Sequence, residues 1–280
     1  MMSFQVNDWW ILLTTCAVSL CCVIPGTFLV LRRMAMYGDA ISHAVLPGLV
    51  AAYLISGTKA GPGLLAGAAS SGLLVTILIE FLQKKVKVQH DAAIGLVYTF
   101  LFAVGVIMVS QFAGMADIDQ DCVLFGEIAF VPFDLIAGIP RQLLISTGLL
   151  LLLLLALWAG YRGLYLSTFD PGFAAAIGIQ VIAWHYLLMA MVSLSTVIAF
   201  ESVGAVLVIA FLVGPPATAA LFSKRLPGML LLGSLFAIVS SVAGYFLAMA
   251  LDANVGGCVS LVIGVVFGIS VLIRKYLFRE

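Results

Sequence analysis

This sequence predicts an all-α fold that crosses a membrane many times. Of its 280 residues, 64% are hydrophobic and only 9% charged. Apolar runs of about 20 residues recur from Trp9 to Ile273, and the Lys and Arg residues gather in alternate gaps between them. Water-soluble domains are far more charged than this. Helices satisfy every backbone N–H and C=O within hydrocarbon, whereas a barrel would need short alternating strands that the sequence does not show. Formal net charge is zero, so nothing points to a nucleic-acid partner. One transmembrane domain over 1–280 is expected.

The first span is expected over 9–31, with Trp9 and Trp10 at the interface and no basic stretch of the kind that opens a cleaved signal. Runs at 40–57, 63–82, 93–111 and 143–160 supply four more. Residues 112–142 are too polar to cross, and Phe130, Val131, Pro132 and Phe133 within them read as a short element at the outer interface. From 179 to 222 the chain is almost unbroken apolar sequence for 44 residues, twice one span. A turn is therefore required near Ser193–Ser202, where Ser193, Ser195, Thr196, Glu201, Ser202 and Gly204 are the polar and flexible positions available. The two resulting spans are 179–199 and 203–222, and Pro215 with Pro216 predicts a broken or kinked helix in the second. Spans at 229–250 and 256–273 complete a nine-span thread, or eight if 40–57 or 256–273 re-enters instead of crossing.

Nine spans put Arg32, Arg33, Lys84, Lys85, Lys87, Arg162, Lys224, Arg225, Arg274, Lys275 and Arg279 on one face, eleven of the thirteen basic residues. By the positive-inside rule that face is cytoplasmic, with the N-terminus outside and the C-terminus inside. The opposite face takes Asp8, Asp117, Asp119, Asp121, Glu127, Asp134 and Asp252, with Lys59 and Arg141 as exceptions. Cys16, Cys21, Cys22, Cys122 and Cys258 form neither a CxxC pair nor a metal-ligand spacing and read as small buried hydrophobes.

The few charges near spans are the functional candidates. Asp39 and His43 stand four apart, which places a carboxylate and an imidazole on one helical face, about 6 Å apart along the axis. Both are ligands suited to Mn, Zn or Fe. The competing reading has Asp39 capping the second span and His43 satisfied by a hydrogen bond one turn inside. Glu201 is an acidic residue in apolar surroundings, facing either a pathway or, if the turn falls at 199–202, the outer surface. His90 and Asp91 read as the start of a helix, and His185, between Trp184 and Tyr186, as an interfacial anchor. Asp170 followed by Pro171 is an N-cap and first-turn pair. It opens a short helix in the cytoplasmic segment 161–178 that either docks a partner through its Phe and Ala residues or lies against the bundle. There is no GxxxxGK[ST] and no HExxH, so the chain is not expected to be an enzyme and any driving energy must come from a partner or an ion gradient.

Three stretches carry a family resemblance: Pro25 to Ala44 around Gly38-Asp39-Ala40-Ile41-Ser42-His43, Leu166 to Ala175 around Phe169-Asp170-Pro171-Gly172, and Val203 to Val208 continuing to Gly214-Pro215-Pro216-Ala217-Thr218-Ala219. With the overall length and spacing, they resemble the membrane permease subunit of a manganese/zinc/iron ABC importer. The resemblance implies a type II-like importer permease in the bacterial cytoplasmic membrane. Its implied partners are a second copy of the chain, a cytoplasmic ATPase dimer, an extracytoplasmic metal-binding protein and the lipid bilayer. Asp39 and His43 would match the family's Asp-x-x-x-His signature and contact the passing metal, with Glu201 as a partner to the pair. Phe169, Asp170, Pro171, Gly172, Phe173 and Ala174 would form the coupling helix. No stably bound cofactor is implied: the divalent metal is the substrate and the partner subunits use the ATP. A secondary metal transporter driven by an ion gradient, or a membrane scaffold without transport, are the alternative readings. The first should show clearer internal repeats than these halves do.

Overall fold

The computed structural model describes residues 6–44, 46–56, 62–112, 128–136 and 138–277. Among them the helices run α1 (Val6–Leu31), α2 (Met36–Ala44), α3 (Leu46–Ser56), α4 (Pro62–Phe81), α5 (His90–Phe112), α6 (Arg141–Phe169), α7 (Pro171–Ala176), α8 (Val181–Phe222), α9 (Leu226–Leu251) and α10 (Val255–Leu277). Among the described residues seven stretches are long and apolar enough to cross a bilayer: Asn7–Leu31, Met36–Ile55, His90–Gln111, Arg141–Phe169, Val181–Phe222, Leu226–Leu251 and Val255–Tyr276. The expected 63–82 segment is also helical, as α4, and packs against α3 and α8. The expected 40–57 span is divided into α2 and α3.

The 42 residues of α8 would stretch about 63 Å if straight, twice the hydrocarbon thickness. They do not run straight. Gly204 alone within α8 has non-helical dihedrals, φ 75° and ψ 167°. Before it, Trp184 sits on Gly160 and Gly163 of α6, and His185 meets Arg32 just past α1. After it, Leu212 lies against Gly26 of α1 and Gly38 of α2, so the second half returns alongside the first. Leu226, opening α9, completes this by sharing a core cluster with Phe28, Leu164 and Leu188.

The turn thus falls at Gly204, beyond the expected Ser193–Ser202 window. The reason is conformational: that φ/ψ region is essentially open only to glycine. The polar residues of the window stay helical, and two bond back into their own helix, Thr196 Oγ1 to Ser193 O at 2.9 Å and Ser202 Oγ to Ala199 O at 3.0 Å. Of the break or kink predicted at Pro215 and Pro216, the break does not occur, since both remain within helix. Pro216 has no N–H for the Leu212 carbonyl, and that oxygen faces Gly26, where a Cβ would overlap it.

A second correction concerns α6, which continues past the expected end at 160 to Phe169. Gly160 and Gly163 do not break it; they form the notch that Trp184 fills. The stop comes at Asp170-Pro171, where the proline forces the preceding residue out of helical geometry, here φ −144° and ψ 83°. The expected coupling segment 161–178 is therefore the last turns of α6 followed by the separate helix α7.

The core lies along α1 and α8. Of their spanning windows 78% and 61% of residues are buried, against 22% for α6 and 28% for α5 and α10, so the latter helices form the periphery. The exposed leucines Leu151, Leu152 and Leu155 with Trp158 give α6 a lipid-compatible outer face. Many hydroxyls inside the bundle bond within their own helices, as in Thr15 Oγ1 to Ile11 O and Thr27 Oγ1 to Val23 O, whereas Ser193 Oγ crosses to Ala69 O of α4 at 3.2 Å.

At one end of the bundle the Tyr245 hydroxyl donates to Asp8 Oδ1 at 2.7 Å, joining α9 to α1. The expected interfacial element appears as a 3₁₀ turn, Ile128–Phe133, which packs against α1. It leads into a two-residue antiparallel pair, Leu135–Ile136 with Ile139–Pro140, turned at Gly138 with φ +83°. Cys16, Cys21, Cys22 and Cys258 are free thiols, and three of the four are buried. Cys122 and the acidic positions Asp117, Asp119, Asp121 and Glu127, like Lys59 and Arg279, lie outside the described residues.

Candidate metal pair and coupling segment

Helix α2 is short, and its sequence divides it cleanly. Tyr37, Gly38, Ala40, Ile41, Ser42 and Ala44 are buried, with Gly38 closely packed on Leu212 and Ile41 beside Gly72 of α4. Asp39 and His43 share the remaining face and are about one-third exposed. One helical turn brings His43 Nε2 to 3.3 Å from Asp39 Oδ1. The imidazole is flanked by α5, with Tyr98 at 6.0 Å and Phe102 edge-on at 6.1 Å between ring centroids. Those aromatics limit where the ring can swing.

The spacing matters chemically. Two ligands about 2.1 Å from one metal in tetrahedral geometry lie about 3.4 Å apart, so this N···O separation matches the spacing of two ligands on one divalent ion. Two donors are still an incomplete set. Among the described residues no group of three or more His, Cys, Asp or Glu could hold a metal.

Glu201 is not brought to this pair. Ser193 packs level with Gly72 and Ile41, and Glu201 lies eight residues further along α8, about 12 Å along the axis. It is exposed near the Gly204 turn, and its charged neighbours are Arg141 and Asp134, which themselves pair at 3.8 Å. Within this chain Glu201 therefore stands apart from Asp39 and His43, towards the turn. His90 opens α5 as expected, 2.7 Å from Gln83 Nε2 through its Nδ1.

The candidate coupling segment is a short helix capped at both ends. Asp170 caps α7, its Oδ1 accepting from the Phe173 N–H at 2.9 Å, with Pro171 in the first turn. Gly178, at φ +85°, closes the other end: Ile179 N–H donates to Ala174 O at 2.9 Å and Gly178 N–H to Ala175 O at 3.1 Å. Ala174 is buried against the bundle, whereas Phe169, Phe173 and Ile177 are exposed. Phe169 also ends an aromatic ladder along α6, 4.8 Å from Tyr165, which stacks 6.0 Å from Tyr161.

One residue at this end escaped the sequence reading. Glu80, in the last turn of α4, lies 2.8 Å from His185 Nε2 and 2.5 Å from Lys84 Nζ, and accepts from the Tyr186 hydroxyl at 3.4 Å. The signal available was an acid next to a predicted span end and a basic run. Its bond holds the Lys84 ammonium above the ordinary lysine pKa. His185, expected as an interfacial anchor, is accordingly also an ion-contact residue.

Known proteins share both the sequence and the fold. Residues 7–274 match the ABC 3 transport family. The manganese transport system membrane protein MntD of Bacillus subtilis (strain 168) is 43% identical over 271 residues, covering 95% of this chain and 90% of its own. The zinc transport system membrane protein TroD of Treponema pallidum (strain Nichols) is 42% identical over 265 residues, covering 92% and 72%. The structure of PsaBC from Streptococcus pneumoniae in complex with Fab superposes with a TM-score of 0.83 at 32% identity, over 98% of this chain and 95% of that one. This chain, a multi-pass helical membrane protein with these relatives, belongs to the ABC 3 transport family.

Proposed function

We propose that the chain is the membrane permease of an ATP-driven importer for a divalent transition metal, manganese or zinc. The carrying observation is the Asp39–His43 pair, two metal donors at ligand spacing on the half-open face of α2. The names of the relatives support the two metals, and the same donors also accept iron. The ATPase sites reside on partner subunits in the cytoplasm, and a metal-binding protein delivers the ion from the other side. A second copy of the chain completes the pathway, supplying a matching pair of donors.

The basic end of the bundle, with Arg32, Lys84 and Arg225, faces the cytoplasm, with the N-terminus outside and the C-terminus inside. There the exposed Phe169, Phe173 and Ile177 seat the coupling helix in an ATPase subunit, and ATP-driven closure moves that helix. Glu201 and Asp134 lie at the outer end, where they attract the entering cation. Asp39 carboxylate and the His43 Nε2 lone pair then replace two waters of its hydration shell while the pathway is closed to both sides. Two donors per chain keep binding weak enough for release.

The test is metal uptake by liposomes holding the permease, ATPase and binding protein. Asp39→Ala and His43→Ala are each expected to cut uptake about tenfold or more while the ATPase subunits still co-purify. Uptake at the unmodified level in both variants would reject the pair as the pathway site. Uptake by the permease alone, driven by an ion gradient, would reject the ATP-driven reading in favour of a secondary transporter, and no uptake with any partner would leave a scaffold.

A further inference from the structure

Several helices converge on one guanidinium. Arg32 directly follows α1, and its Nε donates to Thr168 Oγ1 at 3.0 Å while Nη2 donates to Ser167 Oγ at 2.9 Å. Both hydroxyls already donate to the Leu164 carbonyl, Thr168 at 2.6 Å and Ser167 at 3.2 Å. What remains to each is its lone pairs, which fits a partner that can only donate. Nη1 lies 3.4 Å from His185 Nδ1. The same logic assigns the imidazole: Nδ1 accepts, so its proton sits on Nε2, facing Glu80 Oε1 at 2.8 Å though off the N–H axis. Arg32 thereby joins α1 to α6 directly and to α4 through His185 of α8.

Location gives this cluster its meaning. Ser167 and Thr168 occupy the last turn of α6, immediately before Phe169 and Asp170, where α7 begins. On the other side, Arg32 is separated from α2 by three residues, and that connection is held by backbone bonds from Met34 N–H to Leu29 O at 2.8 Å and Tyr37 N–H to Met34 O at 3.0 Å. Arg33 adopts the left-handed conformation at the corner, φ 58°. There is little slack between the guanidinium and the helix that carries Asp39 and His43.

We propose that Arg32 is a positioning residue of the transport cycle, whose fork on Ser167 and Thr168 carries displacement of the α6–α7 corner to α2 and its Asp39–His43 pair. This rests on the proposed function for the metal pair and the coupling helix. The planar fork is the essential property. Lysine offers a compact point charge in its place and reproduces the charge but not the simultaneous contacts.

The experiment uses the full complex in liposomes and reads metal imported per ATP hydrolysed, a ratio that a purely structural contact would not change once the complex has assembled. Arg32→Met is expected to retain bound ATPase subunits and lower the ratio about tenfold, with Arg32→Lys intermediate. Ser167→Ala combined with Thr168→Val removes the same bonds from the opposite side and is expected to give the same loss. Joining all three substitutions is expected to add nothing further, as for groups acting through one contact. A ratio within about twofold of the unmodified complex in either variant, or losses that multiply when combined, would overturn the proposal. If Arg32→Met fails to assemble, the ratio measured for the Ser167→Ala/Thr168→Val protein decides between these outcomes. Failure of the underlying function looks different: the unmodified complex would show no ATP-dependent uptake, or Asp39→Ala and His43→Ala would import normally.

Discussion

Replacing Gly204 with alanine probes the feature on which the bundle's topology depends. At φ 75° and ψ 167° an L-residue sits in a region reserved for glycine, at a cost of about 1–3 kcal/mol. The strain has no easy outlet. Relaxing Gly204 to helical dihedrals would swing residues 205–222 away from α1 and α2 and strip Leu212 from Gly26 and Gly38. The full conformational cost therefore stays in the folded state. For a chain of this size about 2 kcal/mol corresponds to roughly 3–4 °C in melting temperature. The assay is thermal unfolding of purified protein in lipid nanodiscs, with Gly95→Ala as the reference. Gly95 lies inside α5 with open space where a Cβ would go, so alanine there is expected to be neutral or to stabilise by up to about 1 kcal/mol. A Gly204→Ala protein melting within about 1 °C of the parent would refute the assignment of the turn to a glycine-only conformation.

Other consequences are smaller in scope. Asp170→Ala removes the cap on the Phe173 N–H and is expected to destabilise α7 by about 1 kcal/mol, lowering ATPase stimulation by metal-loaded binding protein, whereas Asp170→Asn keeps the cap and most of the stimulation. Trp184→Ala empties the Gly160–Gly163 notch and should cost about 3 kcal/mol, the low end for a large ring because this one is only half-buried, read as a fall in nanodisc melting temperature.

The parts of the fold legible in the sequence are those where the bilayer leaves the chain little choice. Apolar length produced most of the helices close to where they stand, and the doubled length of 179–222 demanded a reversal. Placing that reversal needed backbone information that composition does not carry. Six polar or small residues were eligible, and Gly204 prevailed because the sharp turn needed its dihedrals rather than a hydroxyl. The end of α6 was missed for the opposite reason. Gly160 and Gly163 resemble a helix end in sequence, yet they are gaps shaped for an aromatic ring arriving from another helix. The proline pair misled similarly, since a tolerated proline and a breaking one look alike until neighbouring backbone is in place.

For the candidate site the division is between local and distant partners. Asp39 and His43 were readable because one helical turn fixes both, and the structure brings them to 3.3 Å. Glu201 was paired with them through the family resemblance and its apolar setting, and neither carries depth: its position next to the turn sends it to Arg141 and Asp134. Glu80 and His185 lie 105 positions apart in the chain, which no spacing rule connects. What this leaves at the metal pair is instructive. A structural site with a full set of ligands holds zinc by about 10–16 kcal/mol, which would make each ion a plug. Two donors with preset separation orient an ion without trapping it. Their occupancy can then follow small shifts of α2 against its surroundings, and a helix as short as nine residues, fixed at its start by the tight turn from Arg32, is well placed to make such shifts.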